Sequence, residues 1–308
     1  MPEPARELTT LTRTQGANQA LKDGTVTPAG YTLKFEEIPV LVKGFRRMVR
    51  SLEFDVSEMA LTTYLTAREH GVAFTALPIF LVRGFHHGAI LYNTRSDIRD
   101  PKDLEGRRVG VNRGYTVTTG VWARGILATE YGVDLGRVTW VLSGDEHVES
   151  YVPPANVEQA RPDTDLAEML VDGELDAVIN VKVDHPDVAP LIGDPEDAAL
   201  AALKQRGFYP INHLVVVKDE VLQRHPDVAS AVFDAFTEAK QRYVAQLRDG
   251  AGSSDLDRMY STVLQTTGTD PLPYGIEANR PMLEQLMEFA LAQRILTRPV
   301  KVDELFAA

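Results

Sequence analysis

Apolar and polar positions along the chain switch repeatedly between two periods. "ELTTLTRT", from Glu7, alternates as a strand does, and Tyr31 to Phe35 repeats that pattern after a turn-rich stretch. "VLVKGFRRMVRSL" then places Val42, Phe45, Val49 and Leu52 at helical spacing. Phe54 to Val56 reads as a short strand. It leads into a helix carrying Leu61, Tyr64 and Leu65. "VAFTALPIFLV" and "GAILYN" are both β-rich and form either one bent strand or two. Between them lies a polar knot, Arg83-Gly84-Phe85-His86-His87-Gly88.

The middle of the chain predicts β-α-β units. A strand over Val109 to Val111 precedes a helix over Val117 to Tyr131, stopped by Gly132, and a strand over Val138 to Leu142. The logic repeats with Leu166, Met169 and Leu170 on one helix face, Gly173 as stop, and a strand from Leu175 to Val181. Residues 186–207 read as loop plus a short helix, and "INHLVVVKDEV" as a strand. A long amphipathic helix follows, with Pro226 in its first turn and Val232, Phe236, Ala239 and Tyr243 on one stripe. The remainder, from Asp255, is helical with a break at "DPLPYG". Strands alternating with helices give an α/β class with largely parallel sheets.

Composition narrows the function. The chain has 308 residues, 44% of them hydrophobic, enough for one large domain or two medium ones. A formal net charge of −12 repels phosphate backbones, so no nucleic-acid partner is expected. Without cysteine there are no disulfides, thiolate metal sites or cysteine nucleophiles. No apolar run resembles a signal peptide or approaches the roughly 20 residues that span a bilayer. A cytoplasmic location without membrane insertion is therefore expected. Homo-oligomerisation is left open.

Glycine-rich phosphate loops, H-E-x-x-H and G-x-S-x-G are all missing. Asp145, His147 and Glu149 alternate and could share a face as metal ligands, but a polar loop is the favoured account of them, and no metal site is assigned. "VNRGYTVTT" says more. A strand end, a loop with Arg113 and Tyr115, and Thr118 and Thr119 at a helix start together make a candidate anion site. Ser57 and Glu58 follow one strand end, and Asn180 lies near another. Ligands of open α/β sheets bind beyond such ends. Adjacent histidines on a regular strand point to opposite sides, so at most one of His86 and His87 faces any given pocket. Arg83, between apolar runs, needs an anionic partner, either a protein carboxylate or a ligand.

Taken together, "EFDVSEMAL", "LPIFLVRGFHH", "DIRDPKDLEGRRVGV", "VWARGILATEYGVDLGRVTWVLSG", "GELDAVI" and "FYPINHLVVVKDEV" resemble the 4,5-dihydroxyphthalate decarboxylase family. The resemblance runs from about Leu8 to Ala239. Arg83, Phe85 and His87 match the family's pattern, whereas His86 stands where the family has a second arginine. "NRGYTV" also departs from the family's usual loop.

The resemblance implies a type 2 periplasmic-binding-protein-like fold of two α/β lobes, residues 1–94 plus 208–308 and residues 95–207, with a ligand cleft between them. It also implies a carboxy-lyase that needs no cofactor. The ring carbon bearing the leaving carboxylate is protonated, and CO₂ departs with its electrons returned to the ring. In that scheme His87 is the acid, Glu58 draws on a phenol hydrogen and His86 is a second polar contact. Arg83 clamps the spectator carboxylate, with Ser57, Arg113, Tyr115, Thr118, Thr119 and Asn180 binding the remainder of a small-molecule carboxylate. The competing reading is a solute-binding protein or sensor for such a carboxylate, with no chemistry. A thiamine-pyrimidine-type enzyme on the same fold is disfavoured by the missing cysteine.

Overall fold

The structure, a computed structural model, describes residues 5–307. In chain order the elements begin with β1 (Arg6–Leu11), α1 (Gln19–Lys22), β2 (Tyr31–Phe35), α2 (Leu41–Ser51), β3 (Val56–Ala60), α3 (Leu61–Glu69) and β4 (Phe74–Arg83). There follow β5 (Ile90–Asn93), β6 (Arg108–Val111), α4 (Thr118–Tyr131), β7 (Thr139–Leu142), β8 (Val157–Gln159), α5 (Leu166–Val171), β9 (Ala177–Ile179), β10 (Val188–Pro190) and α6 (Pro195–Arg206). The chain closes with β11 (Ile211–Lys218), α7 (Asp219–Arg224), α8 (Val228–Arg248), α9 (Asp255–Thr267) and α10 (Arg280–Ala292).

These elements form two compact units. The first holds the chain up to Gly84, Ile211–Glu284 and the segment from Val300. Its sheet has the order β2-β1-β3-β11-β4. β1 runs parallel to β2 and β3, while β11 is inserted antiparallel between β3 and β4. All five β3 residues are buried, as a central strand covered on both faces requires. The core joins Val56, Ile79, Val215 and Val217 of this sheet to Val228, Val232 and Phe236 of α8.

The second unit holds Phe85–Pro210 and Gln285–Pro299. Its sheet has the order β10-β5-β9-β6-β7-β8. β6, β7, β8 and β9 are mutually parallel, and β5 lies antiparallel to β9 and β10. Gly132 (φ 67°) ends α4 in the left-handed conformation expected of a glycine stop.

Several expectations are corrected. The division falls at Gly84/Phe85 and Pro210/Ile211 rather than at 94 and 208, because β5 pairs with β9 and β10 in the second sheet. Residues 285–299 also belong to the second unit, where Phe289 packs edge-on against Trp122 at 5.6 Å. The sheets are mixed because β5 and β11, the first strand after each change of unit, both enter antiparallel. Pro226 lies just before α8, whose N-cap is Asp227. "PIFLV" and "AILYN" are two strands in different sheets, not one bent strand. No helix among the described residues is long and apolar enough to cross a membrane.

Candidate functional site

Ser57 and Glu58 do not follow a strand end. They sit inside β3, opposite Val216 and Val215 of β11. The polar pair reads as a terminus in the sequence because buried strands are usually apolar throughout. Each is buried for a different reason. Ser57 donates its hydroxyl to the Glu58 carbonyl at 2.8 Å and is spent on the backbone. Glu58 is 0% exposed and holds a charge network. Its Oε1 lies 2.6 Å from His213 Nδ1, and its Oε2 accepts the Arg13 backbone N–H at 2.9 Å. The Arg13 guanidinium approaches to 3.7 Å.

His213 reaches Glu58 through strand register. It stands opposite Ala60, two places along β11 from Val215, so the two side chains are diagonal neighbours on one face. Burial pushes the Glu58 carboxyl up. The hydrogen bond and charge of His213, with Arg13, overcome that and hold it below its usual range. A carboxylate at Nδ1 fixes the imidazole tautomer and orientation and leaves Nε2 as the working nitrogen. Phe45 meets the ring edge-on at 5.3 Å. The result is a carboxylate–imidazole acid–base pair. Sequence reasoning misses His213 as a site residue, and its signal is a lone titratable group inside the apolar run "INHLVVV".

The same network has a pH signature. A carboxyl held below its unfolded value stabilises the fold above about pH 4.3, and that contribution fades as pH falls through the depressed value. Glu58→Gln should therefore melt below the wild type at pH 6, and in thermal melts the gap should close as the pH falls below about 4.3, the ordinary glutamate value. A gap independent of pH would mean that Glu58 is not ionised in the fold.

Arg13 also borders a cavity of about 700 Å³ in the first unit, lined with it by Gln15, Gly16, Tyr243, Ser254 and Asp257. A Cβ at Gly16 would stand 2.1 Å from the Tyr243 ring, so only glycine lets the loop after β1 close over α8. That volume suits a one-ring ligand with room for water. A second cavity, of about 490 Å³, lies in the other unit at the N-terminal ends of β6 and β9. Its Arg107 is already paired with Asp97 and Asp176.

Arg83 ends β4 and is 4% exposed. Its Nη1 donates to Asn279 Oδ1 at 2.7 Å. The Asn279 amide nitrogen is held by the Pro273 and Gly275 carbonyls, so its oxygen is fixed toward the guanidinium. The Arg83 backbone N–H points to the Tyr260 hydroxyl at 3.4 Å. Burial raises Tyr260 to about 12, with Arg83 and Arg13 opposing and Glu58 adding to the shift. The four groups thus share one electrostatic field within the first unit.

The histidine pair falls in the second unit and on no strand. β4 ends at Arg83, His86 caps a 3-10 turn over His87–Ala89, and both rings are buried. His87 is fully enclosed, with Nε2 3.1 Å from Glu130 Oε2 and Phe208 edge-on at 6.1 Å. Burial raises the Glu130 carboxyl, but hydrogen bonds from His87 and Arg206 bring it below its ordinary value. Glu130 lies in the last turn of α4, about 18 Å along the helix from Thr118. The expected partnership of His87 with the loop before α4 is therefore not formed. His87 is a structural clasp between the 3-10 turn and α4.

The loop before α4, where the sequence suggests an anion site, is taken up by a carboxylate of the chain itself. Thr118 and Thr119 are the first helical residues, and the N-cap, Val117, offers no side-chain cap. Just before them the Glu146 carboxylate accepts the backbone N–H groups of Tyr115 (2.5 Å) and Thr116 (3.2 Å) and the Thr116 hydroxyl (2.6 Å). A Cβ at Gly114 would lie 2.6 Å from that carboxylate, so the loop's glycine is what lets it seat. Arg113 (φ 72°) and Asn180 (φ 60°), at the ends of adjacent strands β6 and β9, both take the left-handed conformation. For an arginine this costs about 1–2 kcal/mol and marks a constrained loop. Asn112 ties the two ends together by donating to the Asn180 carbonyl at 2.9 Å. Asp145, His147 and Glu149 flank Glu146 in the loop after β7, and no three His, Asp or Glu side chains among the described residues group as a metal site.

Comparison with known proteins agrees with the geometry in fold and extends it in family. No family model matches the chain. A 4,5-dihydroxyphthalate decarboxylase of Comamonas testosteroni is 27% identical over 286 residues, covering 85% of this chain and 84% of that protein. The enzyme of the same name from Pseudomonas putida is 34% identical over 169 residues, covering 50% and 65%. Among solved structures, the periplasmic aliphatic sulphonate binding protein SsuA from Escherichia coli aligns with a TM-score of 0.55 at 12% identity, over 98% of this chain and 97% of that one. The chain is thus a sequence relative of the 4,5-dihydroxyphthalate decarboxylases, built on the two-lobed periplasmic-binding-protein fold.

Proposed function

We propose that the protein is a non-oxidative decarboxylase of a hydroxylated aromatic carboxylate such as 4,5-dihydroxyphthalate, acting in the cytoplasm in the breakdown of aromatic compounds. The observation that carries this reading is the Glu58–His213 pair, its carboxylate buried beside Arg13, in a relative of known decarboxylases. A hydroxyl para to the leaving carboxylate makes the ring carbon basic. The imidazolium of His213 gives its proton to that carbon, and the ring is left as a hydroxyl-stabilised cation. The carbon–carboxylate bond then breaks, its electron pair restores the aromatic ring, and CO₂ leaves. His213 recovers a proton from solvent, so one proton is consumed and one CO₂ released per turnover. Glu58 stabilises the charged imidazole before transfer and holds the ring in place. Arg13 offers its guanidinium to the spectator carboxylate. Proton donation thus moves from His87, which is enclosed, to His213, and the clamp from Arg83 toward Arg13.

The test is direct. Purified protein mixed with 4,5-dihydroxyphthalate should release CO₂ and form 3,4-dihydroxybenzoate in equal amounts. Binding of aromatic carboxylates with no turnover across a panel of hydroxylated substrates would assign the protein to the solute-binding class, which shares its fold.

A further inference from the structure

We propose that Asn18 is the positioning residue for the Arg13 clamp, fixing the loop after β1 so that an exposed arginine meets a ligand carboxylate already oriented. The inference rests on the role given to Arg13 above. Arg13 lies between β1 and the 3-10 turn over Gly16–Asn18, outside any strand or helix, and its side chain is 48% exposed. Its backbone is nevertheless gripped on both sides of its Cα. The peptide before it accepts from Lys22 Nζ at the Thr12 carbonyl (2.7 Å) and donates the Arg13 N–H to Glu58 Oε2 (2.9 Å). The peptide after it offers the Arg13 carbonyl to Asn18 Nδ2 at 2.8 Å. The same Asn18 nitrogen reaches the Thr12 hydroxyl at 3.2 Å, and Oδ1 accepts the Gln15 N–H at 2.9 Å. One fully buried amide therefore spans the loop from Thr12 to Gln15. Its orientation is fixed, because the reverse would set acceptor against acceptor at Arg13 and donor against donor at Gln15. Arg13, Gln15 and Gly16 also line the cavity of about 700 Å³, so the stretch that Asn18 holds is a wall of that cavity. A guanidinium on a free loop would surrender backbone and rotamer freedom together on binding. With the backbone fixed beforehand, only the side chain remains to be ordered. Lys22 and Glu58 grip the loop as charges, Lys22 being paired with Glu37. Asn18 is neutral, so replacing it loosens the loop without altering the charge around Arg13.

The test reads binding alone. 3,4-Dihydroxybenzoate and catechol, the same ring without the carboxylate, are titrated by calorimetry into wild type, Asn18→Ala, Arg13→Ala and the double variant, with circular dichroism confirming the fold. The ratio of the two affinities isolates the carboxylate, and a general loosening of the protein would weaken both ligands alike. That ratio should fall about tenfold or more in Arg13→Ala, and most of the fall should be reproduced by Asn18→Ala. The double variant should be no worse than Arg13→Ala, since both changes remove one interaction. A wild-type ratio in Asn18→Ala beside a lowered one in Arg13→Ala overturns the proposal, as do losses that add in the double variant. If Asn18→Ala does not fold, Asn18→Ser is read instead. It is also neutral but offers one hydroxyl in place of a donor and an acceptor, and a wild-type ratio in it overturns the proposal equally. A ratio that Arg13→Ala leaves untouched removes the clamp and this inference with it. The expected ratios without turnover keep Asn18 in its role and reject only the decarboxylation.

Discussion

His213→Gln should lower kcat for decarboxylation by about 10²- to 10⁴-fold, the usual worth of a positioned general acid, while His87→Gln leaves kcat within a few-fold of wild type. The two histidines differ in what surrounds them. His213 keeps one nitrogen on a buried carboxylate and is 18% exposed at its side chain, so its second nitrogen can exchange a proton with a ligand. His87 is enclosed, with Nε2 committed to Glu130. Glutamine suits both sites because its amide can still donate to the facing carboxylate, so neither Glu58 nor Glu130 is left as an unpaired buried charge. It cannot carry a proton to carbon. Losing the clasp at His87 should appear as a lower melting temperature, through a weakened buried hydrogen bond worth about 1–3 kcal/mol. A dead His87→Gln beside an active His213→Gln would return the proton donor to the histidine pair and remove the Glu58–His213 reading.

The two histidines also show what is legible in the sequence and what is not. Periodicity locates most elements to within a few residues, since a buried face repeats at about 2.0 or 3.6 whatever its partner. Tyr31–Phe35 and the helix ending at Gly132 are examples. It fails where partners are chosen by long-range register. His213 and Glu58 lie 155 residues apart, and only the β3–β11 ladder makes them neighbours. The short strands β8 and β10, three residues each, carry too little pattern to be seen. At α4 the sequence suggests donors for an anion, yet the carboxylate that meets them comes from a residue 30 positions later, and no local rule ties Glu146 to Thr116. Glu58 stands out in the sequence, but as a strand-end residue. Its place inside β3 is what buries it and makes its charge depend on His213.

Phe289→Ala should cost about 3–5 kcal/mol and Gly125→Ala about 1–3 kcal/mol, yet the second change should cease to destabilise once the first is made. Phe289 of α10 lies against α4, so close that a Cβ at Gly125 would come within 2.0 Å of its ring. Trp122, one turn away on α4, meets the same ring edge-on. With Phe289 in place, the methyl added by Gly125→Ala overpacks the contact and forces the helices apart. With Phe289 cut back, the same methyl fills part of the void, and alanine regains the roughly 1 kcal/mol that glycine forfeits inside a helix. Gly125→Ala in that background should be neutral or mildly stabilising, a reversal of sign that a double-mutant cycle detects. Both tryptophans of the chain, Trp122 and Trp140, belong to the second unit, so their fluorescence in a denaturant titration reports this unit's unfolding and not the other's. Additive penalties would mean that α10 does not pack on α4, and with that residues 285–299 would lose their place in the second unit.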